Sequence, residues 1–65
     1  MTNADDFCRY ARLGQTVKIQ KCLQSNSIDV DALNLYGESA LSTATHYNQI
    51  LCVEYLLANK ANPKL

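Results

Sequence analysis

The chain has 65 residues, 48% of them hydrophobic and 18% charged, with two glycines and one proline. That is too apolar for a disordered tail and too poor in Gly and Pro for a loop-rich scaffold, so the sequence predicts one compact, mostly helical unit spanning 1–65. Six basic and six acidic side chains cancel, which leaves no electrostatic footprint for nucleic acid or for an anionic membrane.

No run approaches the roughly 18 apolar residues of a membrane span, and the opening MTNADDF is polar and acidic where a secretory signal needs a basic start and an apolar stretch. Cys8, Cys22 and Cys52 are odd in number and sit among apolar neighbours in helical patterns. They read as buried free thiols in a reducing compartment, cytoplasm or nucleus.

The first predicted helix runs from about Asp5 to Leu13. Asp5 and Asp6 supply carboxylates to its first turn, Phe7, Tyr10 and Ala11 share a face, and Gly14 stops it. A second helix covers about Thr16 to Ser25, with Thr16 as its expected cap, Ile19, Cys22 and Leu23 inward, and Lys18 and Lys21 in water. Between Asn26 and Gly37 no helical period survives: Ile28, Val30 and Ala32 alternate with Asp29 and Asp31, and Asn34 and Gly37 frame a turn around Leu35 and Tyr36. Ser39 then caps a third helix, about Ala40 to Tyr47, with Leu41, Ala44 and Thr45 expected inward. Asn48 breaks that pattern. A fourth helix, about Gln49 to Asn59, carries Ile50, Val53, Leu56 and Leu57 at spacings of three and four.

The two helix pairs are copies of one another. Gly14 aligns with Asn48, Phe7 with Leu41, Ala11 with Thr45, Ile19 with Val53, and Cys22–Leu23 with Leu56–Leu57, an offset of 34 that includes one inserted residue near Ser27. A period of about 33 residues, each a turn plus two short helices, belongs to a stacked repeat architecture.

The segment NLYGESALSTATHYNQILCVEYLLANKANPK, from Asn34 to Lys64, resembles one complete ankyrin repeat through Asn34, Gly37, Ser39, Ala40, Leu41, Ser42, Ala44, Thr45, Asn48, Gln49, Val53, Leu56, Leu57, Lys60, Ala61 and Asn62. The first unit resembles a degenerate N-terminal repeat through Phe7, Ala11, Gly14, Ile19, Leu23 and Asp29, Val30 and Asp31. Four departures stand out: Ala40 occupies the family's proline position, Ser42 its inter-repeat histidine, and Asn48 and Lys60 its helix-ending glycines. A pair of repeats less stable than a consensus pair is expected. The resemblance implies an all-α solenoid fragment of two stacked helical hairpins joined by a β-turn and extended loop, repeat 1 at about 4–33 and repeat 2 at about 34–65.

It also implies a non-enzymatic protein-binding module that meets another protein through the hairpin tips and first helices, here Leu35, Tyr36, Glu38, His46 and Tyr47, with Arg9, Arg12 and Leu13 from the first unit. Aromatic and arginine side chains dominate interface energies, so the composition of that set suits the role. The alternative role is structural, an N-terminal cap or oligomerisation element, with self-association or further repeats through Ile50, Val53, Tyr55 and Leu57. Catalysis finds no support: His46 is the only histidine, and no acidic residue stands at a matching spacing. Cysteines 14 and 30 residues apart, without a C-x-x-C pair, do not make a zinc site, and Gly14 and Gly37 stand alone rather than in a phosphate loop. No metal, cofactor, nucleic acid or membrane partner is expected.

Overall fold

The computed structural model describes residues 3–64, so the outer bounds at 1 and 65 lie outside the described residues. It contains four helices: α1 Ala4–Arg12, α2 Thr16–Gln24, α3 Ala40–His46 and α4 Ile50–Ala58. The class is all-α. Among the described residues the only β-type pairing is an isolated antiparallel bridge between Leu33 and Ser39. Among the described residues no helix is long and apolar enough to cross a membrane.

Helix starts follow side-chain chemistry in one half of the cases. Asn3 caps α1 by accepting the Asp6 amide at 2.8 Å, and Ser39 caps α3 by accepting the Ser42 amide at 3.1 Å. The second helix of each pair starts without such a cap, behind Gln15 and Gln49. Thr16 is therefore not the cap that its position suggested. It is the first helical residue, and its hydroxyl lies 3.2 Å from the Cys52 sulfur instead.

Helix stops follow one rule throughout. Gly14, Asn26, Asn48 and Lys60, each one residue past a C-cap, have φ of +73°, +53°, +59° and +67°. After each, the next amide reaches back across the last turn: Gln15 to the Tyr10 carbonyl, Ser27 to Cys22, Gln49 to Ala44 and Ala61 to Leu56, at 2.8–3.1 Å. The left-handed residues themselves donate to Ala11, Leu23, Thr45 and Leu57. These are four Schellman closures, which satisfy carbonyls that a helix end leaves bare and reverse the chain within three residues.

The closures carry the internal copy into the backbone. Pairs 34 positions apart share the sign of φ, the back-bonded carbonyl and the uncapped glutamine. The register then slips by one. Asp29 accepts the Asp31 amide at 2.9 Å and Asn62 accepts the Lys64 amide at 2.9 Å, the same Asx turn 33 positions apart. The inserted residue thus falls between Ser27 and Asp29.

Within each pair, a three-residue connection folds the second helix back along the first, and across the pairs α1 packs on α3 and α2 on α4. Phe7, Ile19, Cys52 and Leu56 are the large side chains at the centre, wholly or almost wholly buried. Ala11, Ala40 and Ala44 are fully buried beside them, small enough for α1 and α3 to approach closely. Cys8, Cys22 and Cys52 are buried, and none of them is in a disulfide. Thr45 departs from its expected inward place: it is exposed, and its hydroxyl donates to the Leu41 carbonyl at 2.8 Å along its own helix. Thr43 takes the buried place, bonded to the Ser39 carbonyl at 2.9 Å.

Of the four left-handed residues, Lys60 has the least aptitude for that conformation, and it is exposed. Lys60→Gly is expected to stabilise the fold by about 0.5–1 kcal/mol, the left-handed penalty less the extra backbone entropy that glycine loses. The check is a rise in the urea midpoint at unchanged slope.

Candidate functional site

The segment between α2 and α3 is short of helix signals but rich in local acceptors. Asn34 organises its tip: its side-chain oxygen accepts the Tyr36 and Glu38 amides, both at 2.9 Å, and its carbonyl accepts the Gly37 amide at 3.0 Å. Its own amide donates to the Glu38 carbonyl at 2.9 Å. Gly37, with φ of +75°, supplies the torsion that closes this turn. The consequence is a fixed tip whose two central side chains have nowhere to fold: Leu35 is 87% exposed and Tyr36 86%.

Contacts from the first hairpin hold this tip in place. Asp5 accepts the Leu35 amide at 3.0 Å, so the carboxylate placed at the start of α1 serves a residue 30 positions away. The Cys8 thiol donates to the Glu38 carbonyl at 3.4 Å. Further along the junction, the Gln49 amide group donates to the Arg12 carbonyl at 2.9 Å, and Asp31 accepts the Asn62 amide at 2.8 Å. Gln49 also fills the space above Gly14, where a Cβ would come 2.6 Å from its Oε1.

Two grooves border this frame. The first, about 300 Å³, is lined by Arg9, Arg12, Leu35, Tyr36, Glu38 and Tyr47, with Asp5, Cys8, Asn34 and Thr43 at its base and edges. Of the residues singled out from the sequence, it gathers Arg9, Arg12, Leu35, Tyr36, Glu38 and Tyr47 together. His46 does not join them. Its ring meets Tyr47 edge-on at 5.0 Å between centroids, but it lines the second groove, on the other side of α3. Leu13 is exposed in the α1–α2 connection and lines neither groove. Asp5, Cys8, Asn34 and Thr43 are the lining residues that sequence reasoning did not place in the site. Asn34 could have been found from its turn chemistry, whereas Asp5 and Thr43 enter only through the packing of α1 on α3.

The second groove, about 480 Å³, is lined by Leu41, Ser42, Thr45, His46, Val53 and Leu57, with Pro63 at its end. Among the residues expected at the open end of the array, Ile50 and Leu57 are exposed, and Val53 and Tyr55 are half-buried.

Comparison of the chain with protein-family models, curated proteins and solved structures finds no match.

The first groove has a titratable group at its base. Burial pushes the Cys8 thiol above its ordinary range, and the nearby Glu38 and Asp5 carboxylates add to this, while hydrogen bonds with Thr43 and the Asn34 backbone oppose it. The fold thus favours the protonated thiol. Its contribution to stability is complete below the unfolded-state value, about 8.5, and is lost as pH rises through the higher folded value. Stability measured by urea denaturation is expected to decline above about pH 8.5, and the decline should be shallower in Cys8→Ala. At the tip, Asn34→Ala is expected to speed amide exchange at Tyr36 and Glu38 and to destabilise by about 1–2 kcal/mol; unchanged exchange at both would show that Asn34 does not hold the turn.

Proposed function

We propose that the chain is a pair of ankyrin-type repeats acting as a non-enzymatic protein-binding module, and that the partner docks on the tip and on the first helices of the two hairpins. The observation that carries this reading is the tip itself. Leu35 and Tyr36 are presented almost fully exposed on a turn fixed by five backbone amides, beside the half-exposed Tyr47 and the Arg12 side chain. Exposed apolar and aromatic side chains on a rigid support are unfavourable for an isolated domain and suit an interface, because no ordering entropy is lost when they dock. The 34-residue copy of backbone geometry, the helix–turn–helix units and the glycine at the tip support the repeat assignment. The three buried thiols support a reducing compartment, cytoplasm or nucleus.

A second reading, a cap for a repeat array, draws support from the outer side of the first hairpin. There Asp6 pairs with Arg9 at 3.0 Å, and Arg9 and Lys18 stand over the Tyr10 ring at 5.8 and 5.2 Å. Charges that satisfy one another over an aromatic ring give that end a polar, water-facing finish.

The binding reading is tested by selecting ligands for the folded chain from a displayed protein library and mapping them by NMR. Shifts are expected at Leu35, Tyr36, Arg12 and Tyr47, and Tyr36→Ala with Tyr47→Ala should weaken binding by roughly a hundredfold, as loss of two aromatic anchors implies. Ligands that map away from the tip, or that bind the double variant equally well, would sink it.

A further inference from the structure

The first groove carries its charges in a definite order. α1 and α3 run side by side in the same direction: Asp5 and Cys8, early in α1, bond to Leu35 and Glu38 just ahead of α3, and Arg12, at the end of α1, receives Gln49 from just past the end of α3. Asp5, Arg9 and Arg12 are spaced four and three residues apart and share one wall of the groove. Glu38 lies in the tip beside the Asp5 end, and Tyr47, the C-cap of α3, lies at the Arg12 end. The groove therefore has two carboxylates with Tyr36 at one end, and Arg12 with Tyr47 at the other, separated by about 10 Å along α1.

The four charged side chains of the lining are not equally engaged. Arg9 is held by Asp6 at 3.0 Å and stands over the Tyr10 ring. Among the described residues the Arg12 guanidinium takes part in no ion pair or hydrogen bond, since only its backbone carbonyl is used. Asp5 and Glu38 each commit one oxygen, Oδ1 to the Leu35 amide and Oε1 to the Asn34 side-chain amide at 3.3 Å, and each keeps a second oxygen. The lining is neutral as a whole but polar from end to end. A uniformly acidic or uniformly basic partner would meet its own sign at one end, whereas a segment with one charge of each sign would be matched at both.

At about 300 Å³ the groove is too small to seat a helix about 10 Å across, which leaves an extended segment. In a polyproline-II segment residues i and i+3 stand on the same side about 9 Å apart. A β-strand returns to the same side at about 7 or 13 Å. Tyr36 and Tyr47 add aromatic surface of the kind on which polyproline-II segments dock. Resting on the protein-binding reading, we propose that this groove takes a polyproline-II-like segment of the partner protein in which a lysine or arginine and an aspartate or glutamate are three residues apart, the base against Asp5 and Glu38 and the acid against Arg12. Charge order then sets direction: a segment with the base first lies parallel to α1, and one with the acid first lies antiparallel.

The test is selection of short random peptides on the whole chain, followed by NMR titration. Selected peptides are expected to shift Arg12, Tyr36 and Tyr47 and to carry a base and an acid three residues apart. Replacing the peptide's acid by glutamine should weaken binding to the wild-type chain about fivefold and leave binding to Arg12→Gln unchanged. Replacing its base should weaken binding to the wild-type chain similarly and have no effect on Asp5→Asn with Glu38→Gln, which keeps both tip acceptors. The peptide-side losses are read on the wild-type chain, so they stand even where a variant fails to fold. Peptides that shift the groove but lack the charge pair, or whose acid matters equally to Arg12→Gln, would overturn this proposal and leave the binding reading intact. Peptides that map away from the groove, or a selection that yields none, would overturn both.

Discussion

Every helix in this protein ends on a residue driven into the left-handed region, and the rest of the fold depends on those four stops. A short helix of seven to nine residues has little stability by itself. What lets four of them hold together in so small a chain is that each is cut at the same point of its last turn by the same pair of back-directed hydrogen bonds. The back-bonded amides of Gln15, Ser27, Gln49 and Ala61 do this without a large side chain. Because the stops are alike, the two hairpins have the same shape, and like shapes can nest with α1 against α3 and α2 against α4. The small side chains of Ala11, Ala40 and Ala44 then set how closely they nest.

The same constraint explains which parts of the architecture could be read from the residues. Gly14 and Gly37 announce their torsions, Asn26 and Asn48 are tolerable in that region, and Ser39 is a strong cap, so helix bounds come out within one or two residues. Even the one-residue slip near Ser27 is visible in the alignment of the two halves, and the paired Asx turns at Asp29 and Asn62 place it. The misreadings share a cause. Thr16 has the right chemistry for a cap but stands one residue too late, where a contact 36 positions away takes its hydroxyl. Thr45 lies on the inward arc by spacing, yet a seven-residue helix shows its neighbour only a narrow face, which Thr43 and Ala44 fill.

For the candidate site, local rules identify the actors and miss their grouping. Tyr36, Tyr47 and Arg12 come together because α1 lies on α3, a fact of packing rather than of spacing. His46 and Tyr47 are adjacent in sequence but open onto different grooves, since consecutive helical positions point about 100° apart. Asp5 shows the point most directly: a carboxylate at a helix start reads as a partner for its own helix, and here it serves the turn between the two hairpins.

One feature of the junction reaches beyond this molecule. The Gln49 side chain occupies the space that a Cβ at position 14 would need, and its far end is tied to the Arg12 carbonyl. A side chain at position 14 therefore displaces the Gln49 amide group and works against its tie to Arg12. A related chain that carries asparagine at 14 should carry a shorter residue at 49 and lose the tie to residue 12, so the two columns of an alignment should covary even though each lies at the end of a different helix.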